Sequence, residues 1–117
     1  GEAVGIRRFA TAYAPLDEAL ARAVVDVSGR GFLACRMAPE LAASWVTPSF
    51  PMTLVEDFFQ AFADRGRITL HLDLLQARNP HHGAEACFKA VALALRSAVE
   101  LRQGSDDVPS TKGTLTE

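Results

Sequence analysis

Along the first third of the chain the apolar positions fall at short, extended spacing. Gly5 to Tyr13 mixes Ile6, Phe9 and Tyr13 with Arg7 and Arg8 and is broken by Pro15, which reads as a first strand. Leu20 to Val27 alternates loosely, with Leu20, Val25 and Val27 near one face and Arg22 and Asp26 elsewhere. Ser28-Gly29-Arg30-Gly31 is a turn signal, and Phe32 to Met37 resumes as a third extended run. Together the three suggest an antiparallel meander.

The pattern then changes. Pro39, Pro48 and Pro51 bracket an irregular connection that includes Trp45. From Thr53 the period becomes helical: Leu54, Val55, Phe58, Phe59 and Phe62 form an apolar stripe ending near Arg65-Gly66. Thr53 suits the N-cap, with Glu56 three residues on completing a capping box. Ile68 to Leu75 alternates strictly, Ile68, Leu70, Leu72 and Leu74 against Thr69, His71, Asp73 and Leu75, as a half-buried strand does. The longest helix follows, about His81 to Leu101, with Pro80 at its start and a core stripe of Cys87, Phe88, Val91, Leu95, Ala98 and Val99; Gly104 ends it. The order βββαβα predicts an α+β fold of two layers, a four-stranded, mostly antiparallel sheet with two helices on one face. One unit over residues 1–104 is expected, followed by a polar tail over 105–117, either a loop with a role or a frayed end.

Composition fits that picture. A chain of 117 residues that is 49% hydrophobic and 22% charged has the makings of one globular unit. At this length it buries roughly 65% of its unfolded surface. Twelve Lys and Arg against fourteen Asp and Glu give a net charge of -2 with the signs interleaved, which argues against a nucleic-acid binder. No apolar run approaches the roughly 18–20 residues that cross a bilayer, and no basic segment followed by an apolar run opens the chain. A cytoplasmic protein with Cys35 and Cys87 as reduced thiols is expected.

The most suggestive local chemistry is Asn79-Pro80-His81-His82-Gly83-Ala84-Glu85 at the start of the long helix. His81 and His82 are each within one turn of Glu85, but the two imidazoles point roughly 100° apart. Such a pair suits two ions, or one ion and a substrate, better than a single ion; imidazole with carboxylate suits Mn²⁺, Zn²⁺, Fe²⁺ or Ni²⁺. The alternative is a polar helix start. Lys89, one turn beyond Glu85, is either a surface partner of that carboxylate or a cation facing the same pocket as His81. Arg8, Arg30, Ser110 and Lys112 could form an anion set or be solvated charge. His71 reads as a structural or supporting histidine more than a ligand, and Asp57 as either a metal carboxylate or an exposed helix position. No Gly-x-Ser-x-Gly elbow surrounds Ser28, neither cysteine has an activating context, and no Gly-rich phosphate loop occurs.

These pieces resemble one family, the imidazoleglycerol-phosphate dehydratases of histidine biosynthesis. The matching stretches are GIRRFA at 5–10, APLDEALARAVVDVSGR at 14–30, LVEDFF at 54–59, ITLHL at 68–72, NPHHGAEACFKA at 79–90 and PSTKG at 109–113, in the family's order. Members of the family look like two similar α+β halves in tandem, and this chain resembles the carboxy-terminal half. The resemblance implies that His81, His82 and Glu85 are ligands to a pair of Mn²⁺ ions and the catalytic residues. It implies that Arg8, Arg30, Ser110 and Lys112 bind the phosphate of imidazole-glycerol phosphate, with Lys89 also contacting substrate. It further implies sites between subunits of a large homo-oligomer, the amino-terminal half as a partner, and no nucleic-acid or membrane partner. The reaction removes water to give imidazole-acetol phosphate, although the hydrogen lost is not beside a carbonyl and is barely acidic.

The chain departs from the family at three places. Asp57 stands where the family has a histidine ligand, and is an acceptable Mn²⁺ ligand itself or marks a weakened site. Ala10 and Ala77 replace glycines, which strains the backbone if those positions need positive φ. Residues 38–52 form a longer connection than the family's. The competing reading is a catalytically incomplete metal-binding or structural half-domain.

Overall fold

The computed structural model describes residues 5–101. Strands β1 (Phe9–Leu16) and β2 (Ala19–Asp26) form a hairpin, followed by β3 (Phe32–Arg36), a short helix α1 (Pro39–Ala42) and a small hairpin of β4 (Trp45–Thr47) and β5 (Phe50–Pro51). Helix α2 (Thr53–Gly66), strand β6 (Thr69–Gln76) and helix α3 (Pro80–Ala98) complete the fold. The α+β class and the two-layer, four-stranded sheet are as expected.

The order within the sheet is β1-β2-β6-β3. β1 pairs antiparallel with β2, β2 antiparallel with β6, and β3 parallel with β6. The meander therefore stops after two strands. β6, the strictly alternating strand, inserts between β2 and β3, and the α2 crossover lets β3 and β6 run parallel. On the inner face, Ala12, Ala23, Leu72 and Cys35 stand side by side across the four strands. Ala21, Ala23, Val25, Leu70 and Leu72 are fully buried there. Leu20 lies on the other face, because its odd separation from Val25 puts it there in a pleated strand.

Pro15 does not end the first strand; it pairs with Leu20 inside β1. β1 lies at the edge of the sheet, where a residue without an N–H is tolerated. Thr53 is the first residue of α2 and not its cap; Met52 occupies the N-cap in a helical conformation with no side-chain cap bond. Met52 is almost wholly buried, and its carbonyl accepts from Val55 N, so packing sets this helix start. α3 ends at Ala98, earlier than expected, where Arg8 N donates to the Ala98 carbonyl and Arg7 N to that of Glu100. Gly104 and the 105–117 tail, with Ser110 and Lys112, lie outside the described residues.

Small residues govern how α3 meets the sheet. Ala84, Ala86, Cys87, Ala90, Val91, Ala94 and Ala98 face inward against the alanines of β1 and β2. Phe88 and Val99, expected in that stripe, are instead exposed. On α2, Val55, Phe59 and Ala63 are buried, while Leu54 and Phe58 are exposed. Phe59 and Phe58 lie 4.7 and 5.2 Å from the Phe88 ring, so α2 and α3 share one side of the sheet. Both helices thus present apolar side chains on their outer surface.

Candidate functional site

Asn79 caps α3: its side-chain oxygen accepts from His81 N at 2.8 Å and His82 N at 3.3 Å. That bond starts the helix with both imidazoles in the first turn. Opposite lies the β1–β2 hairpin, whose two connecting residues are Asp17 and Glu18. Asp17 adopts φ 52°, a left-handed conformation that aspartate tolerates. The Glu18 carboxylate holds the two segments together. Oε2 accepts from Arg78 N and Asn79 N at 2.9 and 2.8 Å, and Oε1 lies 2.9 Å from His82 Nδ1. Asp17 Oδ2 is 3.8 Å from His82 Nε2, and His81 Nε2 is 3.9 Å from Glu85 Oε2.

The charges follow from these contacts. The hydrogen bond to His82, with help from the Asn79 amide, holds the Glu18 carboxyl down to about 2. The same hydrogen bond pushes the His82 imidazole above its ordinary value, with the Glu18, Asp17 and Glu85 charges adding to it. Neither Asp17 nor Glu18 stands out by local sequence, since an acidic pair between two strands reads as a turn. Only the fold brings them to the histidines.

The remaining candidates are distributed. Lys89 donates to the Pro15 carbonyl at 3.4 Å. Together with Leu16, Glu85 and Phe88 it lines an open depression of about 430 Å³. His81 lies one turn before Glu85 and two turns before Lys89. Asp57 is exposed on α2 next to Phe58, which meets Phe88. Phe88 is six residues past His82, about 9 Å along α3, so within one chain Asp57 does not join the histidine pair. His71 lies on the outer face of the sheet, where its Nδ1 accepts from Arg36 Nη2 at 3.3 Å and its ring faces Phe32.

Arg8 sits at the other end of the hairpin. Its Nε donates to Asp26 Oδ1 at 2.7 Å, and its guanidinium lies over the Phe9 ring. Arg30 is exposed in the β2–β3 turn at that same end. The eight residues of β1 put about 23 Å between Arg8 and the histidine turn. Ala10 and Ala77 are unstrained: among the described residues the non-glycine positive φ angles are at Arg8, Asp17 and Arg67.

His81, His82 and Glu85 have the donor chemistry that Mn²⁺ and similar divalent ions take, and the two rings and the carboxylate are accessible at a helix start. Among the described residues no three His, Cys, Asp or Glu side chains converge closely enough to hold an ion alone. The described residues of one chain therefore do not form a complete ligand set.

Fold and site together define an α+β domain with a mixed sheet and an imidazole–carboxylate cluster opening its long helix. The family model described as imidazoleglycerol-phosphate dehydratase matches residues 1–95. Imidazoleglycerol-phosphate dehydratase of Eremothecium gossypii is 48% identical over 98% of this chain and 50% of its own length. That of Bifidobacterium longum is 50% identical over 98% of this chain and 58% of its own. Among solved structures, the Staphylococcus aureus dehydratase superposes with a TM-score of 0.76 at 40% identity, covering 83% of this chain and 55% of that one. The Pyrococcus furiosus enzyme, solved in complex with (S)-C348, gives 0.72 at 34% identity over 94% and 58%. The chain belongs to the imidazoleglycerol-phosphate dehydratase family. It spans about half the length of the curated relatives it matches.

Proposed function

We propose that this chain supplies the carboxy-terminal half of a hydro-lyase of histidine biosynthesis, which dehydrates imidazole-glycerol phosphate to imidazole-acetol phosphate with Mn²⁺. The observation that carries this reading is the first two turns of α3, where His81, His82 and Glu85 open the helix in a chain of this family. His81, His82 and Glu85 hold the ions, with Asp57 in the position of a further ligand. Bound Mn²⁺ supplies Lewis acidity toward the substrate imidazole, which eases loss of a barely acidic hydrogen.

The chain's own residues bind and orient. Arg8 and Arg30 present guanidinium N–H groups to the phosphate, joined by Ser110 and Lys112, while Lys89 reaches the substrate beside Glu85. The distance between Arg8 and the histidines exceeds the span of a ring and a three-carbon chain. One substrate therefore meets the histidines of one chain and the arginines of another, or groups of the amino-terminal half, within a homo-oligomer. The reading places the protein in the cytoplasm; no helix of the described residues is long and apolar enough to cross a membrane.

The test is to incubate the intact protein with Mn²⁺ and imidazole-glycerol phosphate and follow imidazole-acetol phosphate. Product is expected, and His82→Ala is expected to abolish it. Absence of product from the folded, Mn²⁺-loaded protein would leave the alternative, a metal-binding or structural half-domain, which the lack of a complete ligand set among the described residues favours.

A further inference from the structure

We infer that Glu18 is a positioning residue for His82: it holds the imidazole as the Nδ1–H tautomer and so leaves the Nε2 lone pair free to face a metal ion. The inference rests on the reading of His82 as a ligand. It starts from a donor–acceptor count. An ionised carboxylate can only accept, so the 2.9 Å contact between Glu18 Oε1 and His82 Nδ1 requires the proton on Nδ1. In the neutral ring Nε2 then carries the lone pair. Among the described residues the carboxylate near Nε2 is Asp17, at 3.8 Å, beyond hydrogen-bond distance and largely exposed, so it does not draw the proton to Nε2, and no donor of the described residues bonds that nitrogen.

The ring is also held in place. Glu18 Oε2 is fixed by Arg78 N and Asn79 N, the residues just before α3, while Asn79 in turn caps the helix on His81 N and His82 N. The carboxylate is thus anchored to the backbone that carries the histidine it orients. An acceptor behind a ligating imidazole sets the tautomer and ring direction, and its loss typically weakens metal binding about 10–100-fold. Among the described residues His81 makes no such contact; Glu85 lies 3.9 Å away on its Nε2 side. The two neighbouring histidines are therefore unequal, one held in advance and the other free to adjust.

Glu18→Gln tests this with little change of shape. The glutamine oxygen still accepts from Arg78 N and Asn79 N, but its amide now donates toward Nδ1, which forces the proton onto Nε2. Two-bond ¹⁵N–¹H correlation of ¹⁵N-histidine-labelled intact protein, metal-free in mildly alkaline buffer, should show His82 as Nδ1–H in the wild type and Nε2–H in Glu18→Gln. Calorimetric titration with Mn²⁺ alone should show about 10–100-fold weaker binding for Glu18→Gln, with recovery in part for Glu18→Asp. A wild-type His82 found as Nε2–H, or a tautomer unchanged in Glu18→Gln, overturns the inference whatever the metal does. Unchanged Mn²⁺ affinity in Glu18→Gln beside a loss in His82→Ala also overturns it, while leaving His82 a ligand. If His82→Ala loses no affinity, the ligand reading fails, and the tautomer spectra still decide whether Glu18 orients the ring.

Discussion

Arg36 and Asp73 face each other on the parallel strands β3 and β6 as a two-point pair, Nε to Oδ1 at 2.6 Å and Nη2 to Oδ2 at 3.1 Å. Arg22 on β2 adds a third bond to Oδ2 at 3.0 Å, so one nearly buried carboxylate ties three strands together on the outer face. The Arg36 hydrogen bond, followed by that of Arg22, holds the Asp73 carboxyl below its ordinary 3.8 against the opposing effect of burial. A carboxyl lowered in the folded state stabilises above its unfolded value and loses that contribution as pH falls through the folded value. Asp73→Asn should therefore destabilise the protein by about 1–3 kcal/mol at neutral pH. Its deficit should shrink as pH drops below 3.8. Denaturant melts of both proteins across that range check it; a deficit that does not change with pH contradicts the assignment.

Gly31, just before β3, makes a different demand. A Cβ there would lie 2.7 Å from Asp64 Cα and 3.0 Å from the Ala63 carbonyl, backbone atoms of the last turns of α2. Gly31→Ala must push α2 away from β3, with an expected loss of about 1–3 kcal/mol. Gly66→Ala is the control. Its Cβ would meet only Ile68 Cγ2 at 3.9 Å, and the higher helix propensity of alanine should leave stability unchanged or raised by up to about 1 kcal/mol. Thermal melts of the two variants should move in opposite directions or differ by the full overpacking penalty.

Which of these relationships could be read from the chain depends on how local their cause is. The alternation of Ile68 to Leu74 is a property of one strand, and those four residues are buried as expected. The His81-His82 pair and Asn79 lie within one helix turn, so their proximity needed no fold. The partner of β3 was not legible, because pairing is decided between strands, and a turn signal at Ser28–Gly31 fits either neighbour. Apolar periodicity overstated the core of the helices. It counted Leu54, Phe58 and Phe88 as buried, whereas alanines at the sheet face let α3 approach closely and left those side chains outside. Glu18 contacts His82 across 64 positions of sequence, a distance no local pattern spans.

Asp57 offers a test of whether a carboxylate on α2 serves as a further ligand in the proposed site. It is exposed on α2, so its side chain is open to an ion held outside this chain. Asp57→Ala should weaken Mn²⁺ binding of the intact protein roughly tenfold, equivalent to about 1.4 kcal/mol. Asp57→His should bind at least as tightly as the wild type, since imidazole and carboxylate are both good Mn²⁺ donors. Because the residue is exposed, both variants should melt with the wild type. Unchanged affinity in Asp57→Ala would make this residue a solvated helix position only.

The separation of Arg8 from His82 predicts complementation between subunits. β1 runs from Arg8's neighbour Phe9 to the turn at Asp17, and α3 spans the same length in the opposite sense, from His82 to the Ala98 carbonyl that accepts from Arg8 N. No rearrangement short of unfolding that hairpin brings the guanidinium to the imidazole. If substrate needs both, it lies between an Arg8 from one chain and a His82 from another. Arg8→Ala and His82→Ala should each be inactive alone. Dissociated, mixed in equal amounts and reassembled with Mn²⁺, they should regain about a quarter of wild-type activity, the fraction of interfaces in which both contributing residues are intact. Light scattering on the mixture confirms that assemblies have re-formed. A re-formed mixture no more active than its parents would show that the two residues do not act on one substrate across an interface.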